Sequence, residues 1–429
     1  MSDVTRIAHE RPGQPVRWLA VVLLLAASVW REAAAAGFQV VEVARGTSWV
    51  SPYWGYNTPK IVFDGKAYYT AGLWGPFGDA EGVVYQCTAG TWRAGAKLPG
   101  IYQPATLLLD GEGRLLVLYS RKQQPLRALR ARRPGDIDDF EDLPAPSDMP
   151  SAYYIGTAIR NDTLYLAYII DETPPLTATP YTMFLTQLNL ATLQWTPSIV
   201  LQEGQVQTNP KTAWTYPILM PCEAGLHVAA SNSPDGGEGN TYNQIWYVFY
   251  PAGATKPTVR ELVAECPVGH HAYALDMAID KRGGVHVLHM WNQRVYGEPL
   301  PEGSAPPGTY HAWRDPESGQ WQRRLLAPLC IAGFYQDGPG RLSAVTQEAG
   351  ALILWEWLAD AQEWTRSRTM CEAARIPAGP SFMDVITASS GSDMRGGLAL
   401  VSDGVLSQQD GQPGKRVVWS LLPRGSLKP

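Results

Sequence analysis

No run of lysine or arginine in this chain is long enough to track a phosphate backbone, and charged residues make up only 17% of its 429. Nucleic acid is therefore not an expected partner. There is no CxxC pair, and the spacings of Cys87, Cys222, Cys266, Cys330 and Cys371 match no zinc motif. No metal and no other cofactor is expected on that basis. An odd number of cysteines leaves at least one thiol unpaired. What the chain has in quantity is Gly (41), Pro (35), Tyr (20) and Trp (16), a mixture that suits many short strands joined by turns and argues against a helical bundle.

The first 36 residues read as a secretory signal. Arg6, Arg11 and Arg17 form a basic start, and Trp18 to Trp30 is an apolar core. Ala34, Ala35 and Ala36 then offer small residues for cleavage before Gly37. The apolar run is too short for an ordinary transmembrane helix. Removing its four basic and three acidic residues moves the net charge from -5 to about -6. The expectation is a mildly acidic protein, secreted or periplasmic, monomeric and not membrane-bound after cleavage.

From residue 37 onward one phrase recurs. A short apolar strand runs into a turn with Asp, Asn or Gly, and a second apolar-aromatic strand follows. After a variable loop, a third strand and a tight hairpin lead to a fourth strand that often opens with tryptophan. TPKIVFDGKAYYTAGLW and ATLLLDGEGRLLVLYS are two instances, and YALDMAIDKRGGVHVLHMWN is another. The units start about 45 to 60 residues apart, the spacing of a four-stranded propeller blade. Trp92, Trp195, Trp321 and Trp364 recur after the last hairpin, where a large ring would fill the wedge between blades. The last unit shows only three clear strands, and an orphan strand, FQVVEVAR, precedes the first. Pairing the orphan as the outer strand of the last blade would remove the exposed edges. The reading is all-β: a single seven-bladed β-propeller over residues 37–429, closed by its N-terminal strand.

Propeller ligand sites concentrate where loops converge on one funnel. Aligning the inner strands by their terminal turns superposes Asn57, Gln103, Tyr153, Trp214 and Tyr273, all polar or aromatic at the mouth of an apolar strand. Trp54, Tyr56, Tyr102, Tyr154, Tyr216, His270 and His271 extend the theme, and the loops after the second strands add Arg121, Trp291, Asn292 and Arg294. Aromatic rings stack on the C–H face of a sugar, while amides and charged groups bond its hydroxyls or carboxylate. A polysaccharide or other glycan is the expected partner. Lys60 and Asp276 share an aligned position inside their strands, with no role assigned.

On these phrases the chain resembles the sialidase-like, BNR-repeat propellers of secreted bacterial carbohydrate-active proteins. Within that group it looks most like seven-bladed polysaccharide lyases of the ulvan-lyase type. The resemblance implies His and Tyr as proton-transfer groups and a basic residue that neutralises a uronate carboxylate. Eliminative chemistry needs such a set: a base, an acid for the leaving oxygen, and positive charge on the developing enolate. By that chemistry His271 or His270 is the candidate base, Tyr273 or Tyr216 the acid, and Arg294 or Arg121 the carboxylate clamp. Two other readings stay open: a non-catalytic glycan- or protein-binding propeller of the cell envelope, and a two-carboxylate glycoside hydrolase.

Overall fold

The computed structural model describes residues 37–53, 59–76, 79–122, 124–170, 181–204, 213–234, 242–267, 270–294, 300–337, 341–378, 382–386, 397–408 and 412–424. Among them the fold is all-β, with one short 3-10 turn at Ala373–Arg375. No helix of the described residues is long and apolar enough to cross a membrane.

The strands form five separate sheets of four or five strands and one of eight, every neighbour antiparallel. Chain order and spatial order agree within them, as in Ala213–Pro221, Gly225–Ser233, Gln244–Pro251 and Val259–Glu265. Such meanders, arranged around an axis with the first strand of each innermost, make a β-propeller. The inner strands include Ile61–Phe63, Thr106–Leu109, Tyr153–Arg160, Ala213–Pro221, His270–Ile279, Gly333–Asp337 and Phe382–Val385. Phe38–Ser48 departs from chain order, because it pairs along its length with Gly414–Pro423 at the other end of the chain.

The Asp and Asn residues that punctuate the sequence make the hairpins. Asp64 Oδ1 accepts the backbone N–H of Lys66 and Ala67 at 2.8 and 2.7 Å. Asp110 does the same for Glu112 and Arg114, and Asp280 for Arg282 and Gly284. A short side chain that satisfies the turn's own donors is why these residues mark turns. The left-handed residues that follow are glycines, Gly113 (φ 77°) and Gly283 (φ 81°).

Core clusters fill the seams between neighbouring sheets, and the recurrent tryptophans pin them. Each indole N–H reaches back to the preceding sheet: Trp195 to Pro144 O, Trp321 to Glu261 Oε2, and Trp364 to His311 Nδ1. Trp92, in the first unit, reaches Ser420 Oγ in the last. The expected wedge role of these rings is what the structure shows. All five cysteines are free thiols.

Near the axis the inner strands are tied by buried charge. Asp384 Oδ2 accepts the backbone N–H of Lys60 at 2.8 Å and of Ile61 at 3.1 Å, joining the last inner strand to the first. Asp276 Oδ2 accepts the N–H of Phe334 on the next inner strand at 2.7 Å, while Oδ1 accepts Met277 N–H. Burial drives both carboxyls upward, Asp384 to about 6 and Asp276 to about 8, against the pull of the Lys60 ammonium and of those N–H donors. Burial also lowers Lys60, opposed by Asp384 and then Asp276.

Asp276 thus holds a proton in the folded chain that an unfolded carboxyl, near 3.9, gives up. Its contribution to stability is complete below about pH 4 and is lost as pH rises through about 8. Asp276→Asn, neutral at every pH, is expected to gain on the native protein in melting temperature as buffer pH is raised from about 5 to 9. A difference between the two melts that stays constant over that range would refute the assignment.

Candidate functional site

The inner strands do not run straight into the mouth of the funnel. Their pairing shifts between Tyr153 and Gly156, between Thr215 and Ile218, and twice between His271 and Asp276. At two of these bulges sits a tyrosine in the left-handed region, Tyr154 (φ 44°) and Tyr216 (φ 51°). For a bulky residue this conformation costs on the order of 1–3 kcal/mol, and it persists where packing over-determines it. Bulges re-aim side chains, and these two turn their phenols toward one another.

The result is a continuous aromatic array across four inner strands and their approaches. Ring centroids step from Tyr102 to Tyr153 (5.5 Å), Tyr153 to Tyr154 (4.1 Å) and Tyr154 to Tyr216 (4.5 Å). The array continues from Tyr216 to Tyr273 (5.4 Å) and ends at His271, 4.7 Å from Tyr273. Tyr242, which leads into Gln244–Pro251, lies 6.2 Å from both Tyr216 and Tyr273 and 6.4 Å from His271. Gln103 fixes one end, its Oε1 accepting the Tyr154 backbone N–H at 2.9 Å. Many of the contacts are edge-on or tilted, the geometry that ring quadrupoles favour.

Burial, followed by the neighbouring phenols, pushes Tyr153 and Tyr154 well above the ordinary tyrosine range. These hydroxyls therefore stay protonated at any physiological pH. They can donate hydrogen bonds or a proton, and they cannot serve as resting bases. His270, which precedes His271, is 1% exposed, and neither of its ring nitrogens has a hydrogen-bond partner among the described residues.

The structure thus brings together Tyr102, Gln103, Tyr153, Tyr216, Tyr273 and His271 from the sequence-derived set. Two candidate tryptophans face elsewhere. Trp214, 2% exposed, donates its indole N–H to Glu203 O and packs edge-on against Trp246, with Arg260 over its ring. Trp291 packs against Tyr310 under the Arg323 guanidinium, 3.7 Å from the ring centroid. Both rings occupy seams between sheets. The Arg121 guanidinium reaches Pro125 O in its own hairpin at 3.4 Å. Arg294 is the register partner of His270 in the strand Val285–Arg294, and the side chains of Arg294 and Asn292 lie outside the described residues. So do Trp54, Tyr56 and Asn57 in full.

Tyr242 is the member that the inner-strand alignment passes over, because it enters from the third strand of its sheet. Its signal was available: TYNQIWYVF places a tyrosine at the opening of an aromatic-rich strand. Among the described residues no group of three or more His, Cys, Asp and Glu is arranged to hold a metal ion.

No protein-family model matches the chain, and no curated protein matches it. Among solved structures it is similar to the polysaccharide lyase Uly1, at 9% identity and a TM-score of 0.56, over 91% of this chain and 100% of that one. It is also similar to the hydrazine synthase of Kuenenia stuttgartiensis, at 10% identity and a TM-score of 0.51, over 82% and 92% of the two chains. An α-L-arabinofuranosidase of Fusarium graminearum aligns over 89% of this chain and 98% of its own, at 11% identity and a TM-score of 0.45. At such identities the likeness concerns architecture, and one architecture shared by a lyase and a hydrazine synthase leaves chemistry to the site. The chain is an all-β β-propeller.

Proposed function

We propose that this propeller acts on a polysaccharide, cleaving a uronate-containing glycan by elimination at the mouth of its funnel. The observation that carries the reading is the unbroken run of tyrosines ending in His271, the acid–base pairing that eliminative cleavage needs beside a surface on which sugar rings can stack. His271 would take the C5 proton, as an imidazole near neutral pH can. Tyr273 or Tyr216 would give a proton to the leaving glycosidic oxygen. Arg294, beside His270 in the strand register, would neutralise the carboxylate as enolate character develops.

The finer architectural reading belongs to this proposal. The eight-stranded sheet can be divided into two four-stranded meanders bridged at the single pair Ile101–Arg121, which supports a count of seven blades. Phe38–Ser48 beside Gly414–Pro423, Trp92 to Ser420, and Asp384 to Lys60 and Ile61 are three independent ties between last and first units, and they support a closed ring. Residues 1–36, outside the described residues, are read as an export signal, and the sialidase-like kinship remains part of the same proposal.

The rival reading is a glycan-binding propeller without turnover, favoured by the same aromatic lining. Incubation of the purified protein with a panel of acidic and neutral polysaccharides decides between them. Rising ultraviolet absorbance from unsaturated uronate ends is the expected result. New reducing ends without that absorbance would mean hydrolysis, and retention of a glycan with neither product would mean binding alone.

A further inference from the structure

Cys222 differs from the other four cysteines, all of which are buried, in being partly open to solvent. It lies just past the end of Ala213–Pro221, at the opposite end of that strand from Trp214 and Tyr216. Its Sγ is 3.4 Å from His227 Nε2, and His227 Nδ1 is 2.8 Å from Tyr247 Oη. The imidazole is braced against the Phe249 ring, with centroids 4.7 Å apart. When Nδ1–H donates to Tyr247, Nε2 is left to accept from the thiol. A nucleophile, a base and a group that orients the base therefore stand in line. Burial lowers the His227 imidazole to about 4, so the ring is neutral at neutral pH and its Nε2 lone pair faces the thiol by geometry.

A second observation points to a ligand. The thiol borders a cavity of about 370 Å³ between the third and fourth units, lined also by Arg160, Tyr165, Gln187, Glu223 and Tyr250. That volume falls in the range of small-molecule sites. Arg160 and Glu223 both line the cavity, so an anionic guest that also carries a hydrogen-bonding amide or ammonium suits its walls.

We propose that Cys222 is a site of thiol–disulfide exchange with a small anionic disulfide, admitted by this cavity and activated by His227 and Tyr247. The Cys222 S–H proton passes to His227 Nε2, and the thiolate attacks one sulfur of the disulfide. A new S–S bond forms as the old one breaks, its electron pair leaving on the second sulfur. That sulfur takes the proton from His227 and departs as a thiol. The protein keeps a mixed disulfide, and the small disulfide is the only oxidant required.

The test uses the full-length protein, oxidised glutathione as the anionic probe and cystamine as a cationic one, with adducts located by mass spectrometry. A single glutathione adduct at Cys222 is expected, formed at least about tenfold faster than at the same thiol in the guanidinium-unfolded chain. That comparison needs no variant to fold. Folded H227Q, which keeps a polar side chain but accepts no proton, is expected to slow the reaction by about tenfold or more. R160Q is expected to slow the reaction with oxidised glutathione and to spare that with cystamine. A native rate no greater than that of the unfolded chain would overturn the proposal, as would an unchanged rate in H227Q.

Discussion

Replacing His271 with alanine is expected to lower eliminative cleavage by about a hundred- to ten-thousand-fold, the range over which a positioned general base contributes. On the proposed mechanism the loss should fall on kcat and leave KM little changed, because the imidazole would act on the proton in flight while the tyrosine array would still receive the sugar. Tyr273→Phe is the companion variant. It keeps the ring that packs 4.7 Å from His271 and 5.4 Å from Tyr216, and it removes only the hydroxyl. A fall in kcat there with unchanged glycan affinity would assign the acid to Tyr273; an unaffected kcat would pass the role to Tyr216. Full activity in H271A, measured on a polysaccharide that the native protein cleaves, would remove His271 from the mechanism. Circular dichroism melts accompany both variants, since His271 is only 9% exposed and its removal leaves a gap beside Tyr242 and Tyr273.

The second large effect concerns stability. Asp384→Ala should destabilise the protein by about 3–5 kcal/mol, the usual result of removing one partner from a buried charged pair. Two backbone donors, Lys60 N–H and Ile61 N–H, lose their acceptor, and each buried donor left unmade costs about 1–3 kcal/mol. The Lys60 ammonium, 3% exposed by residue, also loses the carboxyl whose charge acts on it most strongly. These terms overlap and do not add. Against a total stability of about 5–15 kcal/mol, the variant sits near the edge of folding. Asp384→Asn separates the two causes. Both N–H bonds end on one carboxylate oxygen, Oδ2, which the amide can reproduce, so only the charge is lost. D384N is therefore expected to fall between the native protein and D384A in urea midpoint. Adding Lys60→Met to D384N should recover part of the loss. Equal midpoints for D384A and native protein would show that the inner-strand tie contributes nothing.

Much of the architecture was legible in the sequence because it repeats. Asp64, Asp110 and Asp280 announce their turns in the same way each time, and the four spaced tryptophans announce the seams they pin. The site was less legible, and the reason is local geometry. Trp214 and Tyr216 are two residues apart, which in an even strand places them on one face. The shift in pairing between Thr215 and Ile218 and the left-handed Tyr216 break that parity. Trp214 consequently joins the seam with Leu201 and Tyr250, and Tyr216 joins Tyr242 and Tyr273. Pro217 lies inside the second bulge and Gly156 closes the first, so composition did mark both places, and reading an even strand through them passed over that signal. The axial set is hidden for a different reason. Asp384 meets Lys60 across 324 positions, and an Asp within FMDVIT reads as an ordinary strand residue until the two ends of the chain are brought side by side.

The pairing of Phe38–Ser48 with Gly414–Pro423 also sets a clock. The strand made first must wait for the strand made last, and at about 5–20 residues per second synthesis imposes a delay on the order of half a minute. Throughout that interval an eleven-residue segment lacks its ladder partner, with only its Thr47–Ser48 end bridged to Gly75. Its sequence, FQVVEVARGTS, carries Glu42 and Arg45 within the strand, charges that discourage pairing with a wrong partner while it waits. Contacts of such long sequence separation also place the protein among slow folders, with completion of the last sheet as the late event.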